Sequence, residues 1–156
     1  MYLRTYVELL LDFDVVRAAL MRERPPTWLT GAAEAAEREC VALMTGAGLP
    51  ASGRMASWPT AVEAAAPITT DRLASLPLCL YAGGTLLTHL ATLDAGWLGA
   101  GRTHLALSMS YDAQLDQVGE ITELRDRALL HRVHEAVARR FLHAVADRLL
   151  ASAVAA

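Results

Sequence analysis

The histidines are the residues whose type and spacing come nearest to chemistry in this chain. The string HRVHE sets His131 and His134 three apart with Glu135 beside them. Two imidazoles at that spacing on one helix face can share a metal ion. The order is not that of the HExxH or HxxEH zinc sites. The plainer reading is a helix flank on which both rings are solvated or paired with acids, with His143 in the same position. His89 and His104 fall in alternating, strand-like stretches. There, one ring facing an enclosed space could carry a proton near neutral pH, and a ring facing solvent is the alternative.

Tyr111 is the other polar candidate. It shares a two-residue period with Leu105, Leu107 and Met109, so its ring is expected inside a sheet. Its hydroxyl then needs a ligand, a water or a backbone carbonyl as partner. Arg102 or Arg4 could meet a ligand carboxylate, although strand parity puts Arg4 on the polar face. The glycine-bearing string GAGLPASG follows a helix-like stretch rather than joining strand to helix, so it reads as a loop and not as a phosphate cradle. No nucleophile elbow or paired-carboxylate spacing is present. Trp28, Trp58 and Trp97 sit near the ends of expected elements, where core packing, anchoring or a partner surface are all open. On these residues no catalytic group, no metal ligand and no cofactor is assigned.

Bulk properties narrow the class. A chain of 156 residues has the length of one domain, and 1–156 is read as a single domain. Its apolar fraction of 54% is high, yet no stretch of about twenty residues lacks charge, so no membrane span is expected. Glu8, Asp12 and Asp14 interrupt the N-terminus where a secretory signal would need an apolar run. A cytoplasmic location is the resulting expectation. Cys40 and Cys79 are too few and too far apart for a disulfide framework or a zinc site, and each reads as a small buried hydrophobe. The net charge is −3, and the basic residues are all arginine, scattered among acids without a stripe or interleaved aromatics. Nucleic acid is therefore not an expected partner.

Periodicity then supplies the elements that must position these residues. Residues 2–11 alternate, with Leu3, Thr5, Val7, Leu9 and Leu11 on one side and Tyr2, Arg4, Tyr6 and Glu8 on the other. Asp12 or Asp14 can cap a short helix over FDVVRAALMRE, which Pro25-Pro26 stops. A second helix is expected from Thr27 to Met44, closed by TGAG and Pro50. Residues 54–71 read as one long bent strand or two short ones, because Pro59 and Pro67 remove ladder donors. LPLCLYA, TLLTHLATLDAGWL and THLALSMSYD are successive strands, joined at Gly83-Gly84 and at GAGR. Five or six strands are expected in all. A last helix runs from about Glu120 to Ala151, with Leu130, Val133, Val137, Phe141 and Ala144 on one stripe. At 1.5 Å per residue it is on the order of 45 Å long and needs a broad apolar surface to lie on.

Three stretches give this order a precedent: SLPLCLYA, LDAGWLGAGRTHLALSMSYDAQLDQVGE and RALLHRVHEAVARRFLHAVADRLL. In them the chain resembles the START/SRPBCC superfamily of helix-grip proteins, which includes pollen-allergen-like carriers and polyketide cyclases, and in particular small actinobacterial members. Ser110-Tyr111, Gly119, Arg132 and Phe141 stand where such proteins carry a Ser-Tyr strand end, a turn glycine, a helix arginine and a late phenylalanine. The loop DAQLDQVG departs from the pattern in having no proline.

The resemblance implies an α+β helix-grip fold. A curved antiparallel sheet wraps a long C-terminal helix, and two short helices follow the first strand. It also implies a cavity between sheet and helix, of the mostly apolar kind that holds small molecules. The wall would be Val7, Leu9, Leu78, Leu80, Leu105, Leu107, Met109 and Tyr111 from strands, with Val133, Val137 and Phe141 from the helix. The same side chains could instead pack on one another and leave no cavity. Three functions remain open: a carrier for a small apolar ligand, a cyclase/aromatase-like enzyme, and an interaction module without ligand. A homodimer is compatible with each.

Overall fold

The structure, a computed structural model, describes residues 2–22, 28–47, 59–82, 88–110 and 124–154. The first strand, β1 (Tyr2–Leu9), follows its alternation. Leu3, Thr5 and Leu9 are buried and Val7 partly so, while Tyr2, Arg4, Tyr6 and Glu8 are exposed. Asp12 stands just before α1 (Phe13–Arg22), and its carbonyl accepts from the N–H groups of Val15 and Val16. The Asp12 carboxylate, expected only as a cap, also reaches far along the chain, accepting from the Gly101 N–H at 2.7 Å. The next helix, α2 (Trp28–Gly46), buries Leu29, Ala32, Ala33, Ala36, Cys40 and Met44. This stripe of mostly small side chains lets α2 lie close against a neighbouring helix.

Residues 54–71 were open to two readings, and the described part forms two short strands, β2 (Pro59–Ala64) and β3 (Ile68–Thr69). Three longer strands follow: β4 (Leu73–Ala82), β5 (Thr88–Gly99) and β6 (Arg102–Ser110). All pairings are antiparallel, in the order β1-β6-β5-β4-β2 with β3 also on β4. The β5–β6 turn pairs Gly99 with Arg102 and holds Gly101 at φ +67°, a left-handed conformation that glycine adopts without steric cost.

The chain closes with α3 (Leu124–Val154), 31 residues and about 46 Å long. Its buried positions, Val133, Val137, Ala138, Phe141, Leu142, Val145, Ala146 and Leu149, recur at three- and four-residue steps and form one stripe. That stripe crosses β1 and β6. In addition, α1 covers β4 to β6, and α2 packs on α3 and β2. The fold is the expected α+β arrangement: a six-stranded antiparallel sheet gripping a long C-terminal helix, with two helices after the first strand. Among the described residues no helix is long and apolar enough to cross a membrane.

Candidate functional site

The register builds the inner face of the sheet in rows. Leu3, Met109, Ala91 and Leu78 stand side by side across β1, β6, β5 and β4. Thr5, Leu107, Leu93 and Leu76 form the next row, and Val7, Leu105, Ala95 and Ala74 the one after it. Leu9 and Thr103 close the end nearest α1. The small Ala74 and Ala95 leave room where α1 passes over β4 and β5.

The apolar side chains of these rows and the α3 stripe form one buried cluster. It contains Leu9, Leu78, Leu80, Leu105, Leu107, Met109, Val133, Val137 and Phe141, with Val7 packed at its border. Ten of the eleven residues expected around a cavity are thus brought to one place, and the eleventh, Tyr111, lies outside the described residues. Leu80, Leu105, Leu107, Val137 and Phe141 have no exposed surface at all. No water-sized space therefore borders these five side chains.

Two polar residues face inward: Thr5, which the alternation of the first strand already placed on its apolar side, and Thr103, which the sequence reading missed although strand parity identifies it. Thr5 and Thr103 are buried, and Thr103 Oγ1 donates to the Leu11 carbonyl at 2.8 Å. The other polar candidates whose side chains are described sit away from the interior. Arg4 is exposed on the outer face, and Arg102 pairs there with Glu8 at 2.6 Å. The His104 ring lies 5.2 Å from that of Tyr6, also on the outer face. His131 and His134 are half-buried on the flank of α3 and His143 is exposed. Of His89, only its strand register opposite Leu80 is described. Cys40 is buried and Cys79 half-buried. Trp97 lies at the end of β5 under the Arg72 guanidinium, 4.9 Å from its centre, Trp28 packs partly on the core, and Trp58 is outside the described residues. Among the described residues no three His, Cys, Asp or Glu side chains are grouped as a metal ion would need.

Hollows also open at the surface of the described residues. A recess of about 340 Å³ opens between α1, the β5–β6 turn and the end of α3, lined by Leu11, Val15, Ala19, Leu149 and Ala153 with Asp12 at its edge. On the outer face a shallow depression of about 470 Å³ is bordered by Arg4, Thr92, Asp94 and Ser108, and by Ser75, whose hydroxyl donates to Asp94. The sequence carried no sign of the first, because its walls come from three distant segments.

No protein-family model and no curated protein matches the chain. Solved structures do. A conserved protein from Geobacillus kaustophilus is similar over 97% of both chains with a TM-score of 0.55 at 13% identity. The Thermus thermophilus protein TTHA0849 is similar over 97% of this chain and 99% of its own, with a TM-score of 0.50 at 10% identity. The Zhui aromatase/cyclase from a Streptomyces species covers 96% of this chain and 93% of its own at 16% identity, with a TM-score of 0.43. The first two likenesses concern the fold alone.

Proposed function

We infer that this chain is a START/SRPBCC-type protein that takes up a small apolar molecule between its sheet and α3 and does no chemistry on it. One observation carries the reading. The inward faces of β1, β4, β5, β6 and α3 converge on a single interior whose buried polar residues, among those described, are Thr5 and Thr103. The Thr103 hydroxyl is already committed to Leu11. Such a surface rewards burial of carbon and hydrogen and offers little to orient a charge. A cyclase-like role would call for convergent acids, bases or hydroxyls, and the side chains of His89, opposite the inward Leu80, and of Tyr111 are the ones it would recruit.

Close packing at Leu80, Leu105, Leu107, Val137 and Phe141 favours a second reading, an interaction module that holds no ligand. Native mass spectrometry of the protein purified without detergent separates the two. A co-purified apolar mass at one per chain, displaced by organic extraction, is the carrier result. A bare chain that also fails to bind a panel of fatty acids, isoprenoids and aromatic polyketides gives the interaction module.

A further inference from the structure

The two edges of the sheet are guarded very differently. At one edge β2 is six residues long, begins with Pro59, shifts register between Pro59 and Ala61, and lies against α2. Proline, irregularity and a covering helix are the devices that keep a strand edge from pairing with another chain. At the other edge α3 crosses the inner face of β1, but neither proline nor irregularity interrupts the strand. It runs eight residues in unbroken register with β6, has no proline, and among the described residues no strand pairs with its second side. Its outer face also carries apolar side chains left in solvent: Tyr2 is 63% exposed, Tyr6 67%, and Leu10, just past the strand, 79%.

The order of residues on that face is self-complementary. From Tyr2 onward it reads Tyr2, Arg4, Tyr6, Glu8, Leu10, so an aromatic residue is flanked by opposite charges and then by apolar groups. An antiparallel copy centred on Tyr6 sets Arg4 against the partner's Glu8, Tyr6 against the partner's Tyr6, and Tyr2 beside the partner's Leu10. On the inner face the same register sets Leu3 against the partner's Leu9 and Thr5 against the partner's Val7. Opposite charges, aromatic pairs and aliphatic pairs at directly facing positions are the contacts that stabilise strand pairing. A shift of two residues, centring on Thr5 or Val7, keeps the faces but forms no Arg4–Glu8 pair. Glu8 already holds Arg102 at 2.6 Å, so an incoming arginine completes an Arg–Glu–Arg chain along the outer surface.

We propose that β1 is a homodimerisation edge. Two copies pair antiparallel through it about a two-fold axis at Tyr6, joining two six-stranded sheets into one. The interface is isologous, as two-fold dimers require. It is independent of what the interior holds.

Sedimentation equilibrium tests it with charge variants at the axis. Wild type gives a reversible dimer. Tyr6→Glu and Tyr6→Lys each place like charges face to face and sediment as single chains, with unchanged circular dichroism because the site is exposed. Mixed in equal amounts, the two variants restore a one-to-one dimer. As a second measurement, Tyr6→Cys gives a disulfide-linked dimer under mild oxidation, since facing Cβ atoms lie about 5 Å apart. Arg4→Cys, which faces the partner's Glu8, does not. A wild type that stays monomeric, a Tyr6→Glu chain that still dimerises, or a mixture that fails to pair overturns the proposal.

Discussion

Thr103 Oγ1 donates to the Leu11 carbonyl at 2.8 Å, linking the second residue of β6 to the point where the chain leaves β1 for α1. Thr103 has no exposed surface. The bond therefore satisfies a carbonyl at a strand end, where the ladder no longer supplies a donor. Thr103→Val keeps the shape and removes the hydroxyl, leaving that carbonyl without this donor. A loss of about 1–3 kcal/mol is expected in urea unfolding. Thr103→Ser keeps the bond and gives up only a methyl group, with an expected loss of about 1 kcal/mol. A Thr103→Val chain as stable as wild type beside a destabilised Thr103→Ser would show that packing, and not the hydrogen bond, is the Thr103 contribution.

The same corner holds Gly101, whose N–H donates to Asp12 Oδ1 while its φ is +67°. A Cβ built there meets nothing within 4 Å, so the whole cost of Gly101→Ala is conformational. That cost is about 1–2 kcal/mol. Gly96 lies within β5, outside the left-handed region, and a Cβ there meets only the His104 carbonyl at 4.0 Å. Gly96→Ala is therefore expected to be neutral or to stabilise by about 0.4–1 kcal/mol. Thermal unfolding of the two variants side by side reads this difference in sign.

Phe141 is fully buried on the α3 stripe, in the interior assigned to a ligand. Phe141→Ala removes a ring from a packed surround and is expected to cost about 3–5 kcal/mol. The space left is apolar and should stay dry and accept a small aromatic molecule. Benzene should then raise the melting temperature of Phe141→Ala, by linkage of binding to folding, by more than it raises that of the wild type. If benzene has no effect, the surrounding side chains have collapsed into the space, and the interior is too pliant to keep a ligand seat.

Arg102 and Glu8 are each about half exposed, so their ion pair is screened by water. Arg102→Ala should change the stability of the isolated chain by no more than about 1 kcal/mol. Raising the salt concentration should narrow that difference further. A larger loss in chemical denaturation would mean that the Arg102 stem, and not its charge, covers the corner beneath it.

Much of the architecture was legible one segment at a time. The alternation of Leu3 through Leu9 marked both the strand and its buried face, and that of Leu105 through Met109 did the same for β6. The step pattern from Val133 to Phe141 marked the buried stripe of α3. Periodicity is a local property, since whatever lies above a strand or helix can reward only residues that return to the same side. The candidate interior was legible for the same reason. Its residues are simply the inward members of those patterns, and Thr5 and Thr103 follow from the same parity.

The tertiary structure alone decided what those faces meet. Asp12 reaching Gly101 and Thr103 reaching Leu11 join positions about ninety residues apart, and no local pattern encodes such a pairing. The division of residues 59–69 into two strands depends on where β4 offers partners, which Pro59 and Pro67 constrain without specifying. The close packing at Leu80, Leu105 and Phe141 depends on the volumes of side chains from three elements arriving together, so the same apolar letters could have lined a void. The unpaired side of β1 belongs to this second kind as well. Its alternation is written in the sequence, but its place at the end of the sheet follows only from which strands pair around it.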